Sequence, residues 1–353
     1  MPAEALSPGE KSVLHGLARF PSYNDRLLAR ELGATPSTLT AVRARLEERG
    51  LFRRIYIPSL PAMRAHVLST SSGGLSPEGL VRLKRALGRG LFPAGGCDSF
   101  LAVAGPSGWL ELGAFPDYSR AQCRGDGLAR LLGRLPAGAG ETGARSLLPV
   151  ELVRFHNFFD FAPLLGRFFG LRGAPEGPRP FPPAPARRLS PVEKLVLYGL
   201  VKRPGAADRE TAGELGVSRQ AVARARRVLA AEGRLLPAVV PDLGRLGFGM
   251  LALCRFRLPA EGGRKRGRSA VEALLGSMPH LFAASAGPEL LVLGAWRDTA
   301  MFEREAAALR QGPAWPVGPA PVVHTLSLEG SVAVRDHDYV PFVKAAMGLE
   351  IAD

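Results

Sequence analysis

The chain has 353 residues, 46% of them hydrophobic, and 46 Lys and Arg against 32 Asp and Glu give it a formal charge of +14. That length supports two to four domains with cores of their own, and no apolar run approaches the roughly 18 residues of a membrane-spanning helix. The positive balance points to a polyanionic partner such as nucleic acid, although the Arg-, Gly-, Ala- and Pro-rich usage of a GC-rich genome gives the same sum, so the position of the charge decides more than its total.

Residues 9–20 carry Val13, Leu14 and Leu17 at helical spacing, and Leu27, Leu28 and Leu32 mark a second short helix closed by Gly33. Thr35 as N-cap and Pro36 at the first helical position open a third helix with Leu39, Val42 and Leu46 inward, which Gly50 ends. Leu51–Ile57 then alternates as a strand, so that residues 1–61 read as a winged helix-turn-helix. Across 62–171 a pattern of strand, helix, strand, strand, helix, strand follows, from Ala65–Thr70 through Leu147–Val153, with a terminal helix introduced by Asp160-Phe161-Ala162-Pro163. Residues 172–188 hold six prolines and read as a semi-rigid spacer.

The series then starts again. Leu6-Ser7-Pro8 returns as Leu189-Ser190-Pro191 and Glu31-Leu32-Gly33 as Glu214-Leu215-Gly216, both displaced by 183. Further on, Gly105-Pro106 matches Gly287-Pro288, Gly113-Ala114-Phe115 matches Gly294-Ala295-Trp296, and Pro163 matches Pro341. In the second copy Ser218 caps the third helix, Val222, Ala225 and Leu229 face inward, Gly233 stops it, and Leu235–Val240 forms the wing, giving a second winged helix-turn-helix over 189–246. Residues 247–353 repeat the strand and helix pattern with Met250–Leu258, Ala270–Met278, Leu281–Ala286, Leu290–Trp296, Thr299–Arg310 and Val322–Leu328. The predicted fold is α+β: two winged helix-turn-helix domains, each followed by a ferredoxin-like sandwich, arranged as an intrachain pseudo-dimer.

The stretch Ala34–Gly50, with its inward aliphatics, outward arginines and closing glycine, resembles the recognition helix of the Lrp/AsnC (feast/famine) transcriptional regulators, and the resemblance covers nearly the whole chain twice. It implies a cytoplasmic DNA-binding regulator, responsive to a small-molecule effector, that self-associates through its ferredoxin-like domains and needs no cofactor. The turns Gly105–Gly108 and Gly287–Glu289 lack the aspartate usual in that family, so the resemblance does not carry an amino-acid effector across. Siroheme decarboxylases resemble the same architecture. Because the apolar strand Glu289–Trp296 stands where those enzymes would show a Trp-Pro-Tyr-Asn-like segment, the enzyme reading is set second and the chain is expected not to be an enzyme. A third reading is a chromatin-like interaction module without sequence readout.

On helix-turn-helix geometry the outward N-terminal side chains of the third helix meet base edges. Those are Ser37, Thr38 and Ala41 in the first copy and Arg219, Gln220 and Arg224 in the second. Arg43, Arg45, Arg226 and Arg227, with Arg53 and Arg54 at the first wing, would grip phosphates; the alternative is that they solvate a helix packed on a partner. Arg and Gln can bond bidentately to guanine or adenine, whereas Ser and Thr are permissive, so the two modules should read different sequences. The run Glu261–Arg268 is expected as a solvated basic loop, and Asp117 and Asp298 as N-caps. His156 and His337, beside Asp160 and Asp338, could line a pocket for a small ligand or haem-type group, with packing and capping the preferred reading; His66, His280 and His324 are scattered. Cys97, Cys123 and Cys254 suggest no disulfide framework, and no zinc spacing, phosphate loop or nucleophile motif is found. A start at Met1–Glu4 without a basic head and apolar segment fits a reducing cytoplasm rather than secretion.

Overall fold

The computed structural model describes residues 4–88, 99–124, 144–171, 187–258, 263–311 and 320–349. The spacer expected at 172–188 lies outside them except for Arg187 and Arg188, as does Cys97. The fold is mixed α+β with antiparallel sheets. In chain order the first repeat forms α1 (Pro8–Arg19), α2 (Asp25–Glu31), α3 (Pro36–Glu48), β1 (Phe52–Pro58), β2 (Val67–Gly73), α4 (Pro77–Gly88), β3 (Ser99–Gly105), β4 (Gly108–Phe115), α5 (Tyr118–Arg124), β5 (Ala144–Pro149), β6 (Arg154–Phe158) and α6 (Ala162–Phe169). The second forms α7 (Pro191–Lys202), α8 (Asp208–Leu215), α9 (Arg219–Ala231), β7 (Leu235–Pro241), the one-turn α10 (Leu243–Leu246), β8 (Met250–Arg257), α11 (Gly263–Ser277), β9 (Phe282–Ala286), β10 (Glu289–Trp296), α12 (Thr299–Gln311), β11 (Val322–Ser327), β12 (Val332–Asp336) and α13 (Val340–Met347).

The three-helix heads owe their boundaries to local chemistry. Ser7 and Glu10 form a reciprocal capping box, the Ser7 N–H donating to Glu10 at 2.9 Å and the Glu10 N–H to Ser7 Oγ at 3.3 Å. Ser190 and Glu193 repeat it at 2.8 and 3.3 Å, satisfying N–H groups that a helix start leaves without partners. Thr35 caps α3 through the Thr38 N–H and Ser218 caps α9 through the Ala221 N–H. Gly16 of α1 and Gly199 of α7 let the second helix of each head come close: a Cβ there would stand 2.9 Å from the Leu32 and Leu215 side chains. After the heads, β1 and β7 pair as a two-stranded sheet.

In the second repeat the strands order as β11-β8-β10-β9, the first and third lying centrally, which is the arrangement of a split βαβ unit. Strand alternation turns Met250, Ala252, Cys254 and Phe256 of β8 and Val292 and Trp296 of β10 toward Val271 and Leu274 of α11 and Leu309 of α12, where they form one buried core. The first repeat has the same order in β5-β2-β4-β3, with Ala102, Ala104 and Trp109 packed on Leu80 and Leu83 of α4. Its strand β2 is unusual for a core strand: Ser69, Thr70, Ser71 and Ser72 are all buried, where β8 carries Ala252, Leu253, Cys254 and Arg255 at the same register.

Each sheet is completed by a fifth strand from the other repeat. β6 adds to β9 and β12 adds to β3, covering edges that would otherwise present unpaired N–H and C=O groups. The expected boundaries at 62–171 and 247–353 are therefore crossed by this exchange. One compact unit holds Met1–Arg54, Arg154–Phe181 and Ala238–Glu329, and the other Ile55–Val153, Pro182–Pro237 and Gly330–Asp353. The two exchanged segments match residue for residue: both strands bulge in the middle, at His156 and at Val334. Phe159 and His337 then turn with positive φ, and Asp160 and Asp338 cap the following helices by accepting the Ala162 and Val340 N–H groups at 3.1 Å each. His156 and His337, paired in the sequence reading, thus occupy different positions.

Candidate functional site

The predicted DNA-facing residues divide unequally. On α3, Ser37, Thr38 and Ala41 are exposed, but the Ser37 and Thr38 hydroxyls both engage the capping Thr35 hydroxyl, at 3.0 and 2.8 Å. Arg43 is tied to Asp25 at 3.3 Å and Arg45 to Glu10 at 3.6 Å. Arg49 at the end of the helix bridges Glu4 and Glu10, and Arg245 of α10 also pairs with Glu4. Arg49 heads the causes that hold the Glu4 carboxyl below its usual range, and for Glu10 the leading cause is the Ser7 backbone N–H. On α9, by contrast, Arg219, Gln220, Arg224 and Arg227 are exposed, and none pairs with a carboxylate among the described residues. Arg226 is taken up inside its unit, pairing with Asp208 at 2.7 Å and donating to the Tyr56 hydroxyl at 3.1 Å. Arg53 and Arg54 lie on β1, half-buried and exposed respectively.

A second constellation, which spacing along the chain does not announce, forms where β6 joins β9. His280, in the approach to β9, is 7% exposed, and its Nδ1 lies 2.9 Å from the Met278 carbonyl oxygen. A carbonyl can only accept, so Nδ1 carries the hydrogen and Nε2 keeps its lone pair. That Nε2 is buried and has no hydrogen-bond partner among the described residues. Burial pushes the His280 pKa down, opposed by the Met278 bond and reinforced by Arg167, so the ring is neutral at pH 7. The bulge in β6 aims His156 at Ser285 of β9, Nε2 to Oγ 2.8 Å. Burial first, then the charge of Arg154 and the neighbouring His280 ring, which would repel a second proton, depress the His156 pKa to about 4. Asn157 locks the two segments together. It is fully buried, donates to the Asp160 and His280 carbonyls at 3.2 Å each, and accepts the Asp160 N–H at 2.9 Å. His15 of α1, in the same unit, is also kept neutral, by burial and then by Arg19, against the attraction of Asp160.

This arrangement offers a neutral nitrogen donor whose other ring nitrogen is anchored on a backbone carbonyl, the way protein ligands to metals are commonly oriented. Among the described residues no group of three or more His, Cys, Asp or Glu could hold a metal ion. Arg154, exposed next to His156, forms no ion pair among the described residues.

The remaining predicted residues take structural places. Asp117 and Asp298 cap α5 and α12 through the Arg120 and Met301 N–H groups at 2.6 and 2.7 Å. His337 pairs with Asp336 at 2.7 Å, His66 is exposed and His324 lies on β11. The basic run expected as a loop over 261–268 enters α11 at Gly263, while residues 259–262 lie outside the described residues. Cys123 and Cys254 are free thiols, and burial pushes Cys254 up to about 12. Among the described residues no helix is long and apolar enough to cross a membrane.

Several solved structures are similar to this chain. The siroheme decarboxylase NirDL matches with a TM-score of 0.50 at 12% identity, over 96% of this chain and 98% of that one. Its co-complex with an iron-uroporphyrin III analogue matches with a TM-score of 0.50 at 11% identity, over 96% and 99%. An AsnC family transcriptional regulator from Agrobacterium tumefaciens matches with a TM-score of 0.30 at 16% identity, over 40% of this chain and 90% of that one. No protein-family profile and no curated protein sequence matches. The expectation that the chain is not an enzyme is corrected here: the fold it shares from end to end is that of an enzyme. The apolar strand Glu289–Trp296 forms β10 at the centre of a five-stranded sheet.

Proposed function

We propose that the protein acts on an iron tetrapyrrole, as an enzyme of the siroheme decarboxylase kind, with its two ferredoxin-like halves arranged as an intrachain pseudo-dimer. The observation that carries this reading is the buried neutral His280, oriented by Met278 with its Nε2 lone pair unused among the described residues. His280 would ligate the iron, and the exposed Arg154 would hold a substrate carboxylate by charge-assisted hydrogen bonds. Removal of a carboxyl group breaks one C–C bond, releases CO2 and puts a proton on the carbon left behind. His156, neutral at pH 7, adds no positive charge next to the iron site and leaves Arg154 as the local anion anchor. Because Nε2 is enclosed, the side chains around it must move aside for a macrocycle to reach it. Incubating the protein anaerobically with iron-uroporphyrin III or siroheme and following the substrate mass tests the reading. Stepwise loss of CO2, abolished in His280→Ala and slowed in Arg154→Gln, is expected; unchanged substrate with the wild type rejects decarboxylation.

A second reading, affinity for double-stranded DNA, is favoured by α9. Its Arg219, Gln220, Arg224 and Arg227 stand exposed without carboxylate partners among the described residues, whereas Arg43 and Arg45 of α3 are paired internally. On this reading the second module supplies most of the phosphate contacts. Arg224→Ala with Arg227→Ala should lower the slope of log affinity against log salt by about two, and an unchanged slope removes α9 as a DNA contact.

A further inference from the structure

The unit that contains His280 also has a cleft beneath α6, which His280 itself does not line. Its walls are Leu164 and Phe168 of α6, Phe248, Pro279, the end of β10 at Ala295 and Trp296, and Met301 of α12. The cavity is about 120 Å³, well below the ~300–1,000 Å³ of ordinary small-molecule sites, which limits an occupant to about one ring. The walls are preorganised. Phe168 is stacked on Phe248 with ring centroids 3.9 Å apart, and on Phe168 lies the Arg297 guanidinium, 4.8 Å from the ring centroid. Trp296 is buried and donates its indole N–H to Glu305 at 2.8 Å, and the same carboxylate takes Arg167 at 2.9 Å.

The charges at the rim do not cancel. Glu305 is neutralised by Arg167, which also donates to the Ser277 carbonyl at 2.7 Å, and the Asp298 carboxylate is engaged by the N-terminus of α12. Arg297 is exposed and has no carboxylate partner among the described residues. Stacking occupies only the face of its guanidinium, so the N–H edge remains available for hydrogen bonds. The matching positions of the other unit hold none of this chemistry: Phe115-Pro116 stand for Trp296-Arg297, Ala345-Ala346 for Arg167-Phe168, and Arg120 for Met301. Capping and packing need the Asp at 117 and 298 in both copies, but the aromatic wall and the free arginine occur in one.

We infer that this cleft binds a small carboxylate with a flat apolar body the size of a single aromatic ring, its ring on Trp296 and Met301 and its carboxylate on the edge of Arg297. The inference stands apart from the tetrapyrrole reading, because Arg297 serves this cleft and His280 the other site. Calorimetric titration of the full chain with benzoate, and with the neutral isostere benzamide, tests it. Benzoate should bind saturably with one site per chain and benzamide about 10-fold more weakly or worse, as expected for loss of one charge-assisted contact. Arg297→Gln should bring benzoate down to the benzamide level, and Met301→Trp, which fills the cleft and keeps the charge, should remove binding. The Soret response of Arg297→Gln to iron-uroporphyrin III should equal that of the wild type. Equal binding of benzoate and benzamide, unchanged benzoate binding in Arg297→Gln, or no saturable benzoate binding by the wild type overturns the inference.

Discussion

Asn157 offers the sharpest test of the strand exchange, because a single side chain fastens β6 to the approach to β9. Truncation to Ala removes two donations at 3.2 Å and one acceptance at 2.9 Å, all within a site 1% exposed. Each buried polar group left without a partner costs about 1–3 kcal/mol. Two of the three bonds are long, so the low end applies, and the sum is roughly 3 kcal/mol. Hydrogen exchange resolves where the loss falls. Amide protection in β6 and β9 should drop roughly 100-fold, the equivalent of that energy, while β12 and β3 keep theirs. The counterpart Arg335→Ala breaks only an ion pair with Asp338 at 3.0 Å, and Asp338 keeps its bond to the Val340 N–H; it should cost less than about 1 kcal/mol. A loss in Asn157→Ala below about 1 kcal/mol, or an equal loss of protection in both exchanged strands, would refute the reasoning.

Three further outcomes are expected. Gly16→Ala and Gly199→Ala each push a methyl to 2.9 Å from a leucine side chain; crowding of about 1–3 kcal/mol outweighs the ~1 kcal/mol of helix propensity gained, so both should lower the urea midpoint, and a rise in either would show that the leucines yield freely. Because the His156 pKa is depressed to about 4, the unfolded chain takes up a proton between about pH 6.5 and 4 that the folded chain refuses, and stability falls with pH across that window; His156→Gln should flatten this part of the profile, and an unaltered profile would place the titration elsewhere. Glu193, held at about 2 first by the Arg187 guanidinium and also by the Ser190 N–H, contributes stability that is complete above the ordinary carboxylate pKa and is lost as pH falls from there through about 2, so Glu193→Gln should reduce the acid sensitivity of α7 in urea titrations.

The heads were legible because their determinants are local. Ser7 with Glu10, Thr35 with Pro36, and Gly33 and Gly50 lie within a few residues of the groups they satisfy, and their return 183 residues later doubles the signal. The order of strands was legible for the same reason, since Met250–Arg257 and Glu289–Trp296 alternate or run apolar within themselves. The exchange of β6 and β12 was not. Arg154–Phe158 reads as a strand whichever edge it joins, and its partner Ser285 lies 131 positions from Arg154 along the chain. The setting of His280 was hidden likewise: its tautomer depends on a carbonyl two residues away, and its neutrality on burial by elements that only the folded chain brings together. Arg43 and Arg45 are phosphate-contact candidates in the sequence, which does not announce their ion pairs with Asp25 and Glu10, formed where the helices pack.

The central claim, that His280 is a ligand for an iron tetrapyrrole, is tested most directly by absorption titration of the purified full chain with iron-uroporphyrin III. The wild type should give a saturable Soret shift at one equivalent per chain, and His280→Ala should lose it while keeping its circular dichroism and its benzoate binding. A wild-type spectrum that equals the sum of protein and free tetrapyrrole, or a Soret shift that survives in His280→Ala, would contradict the account.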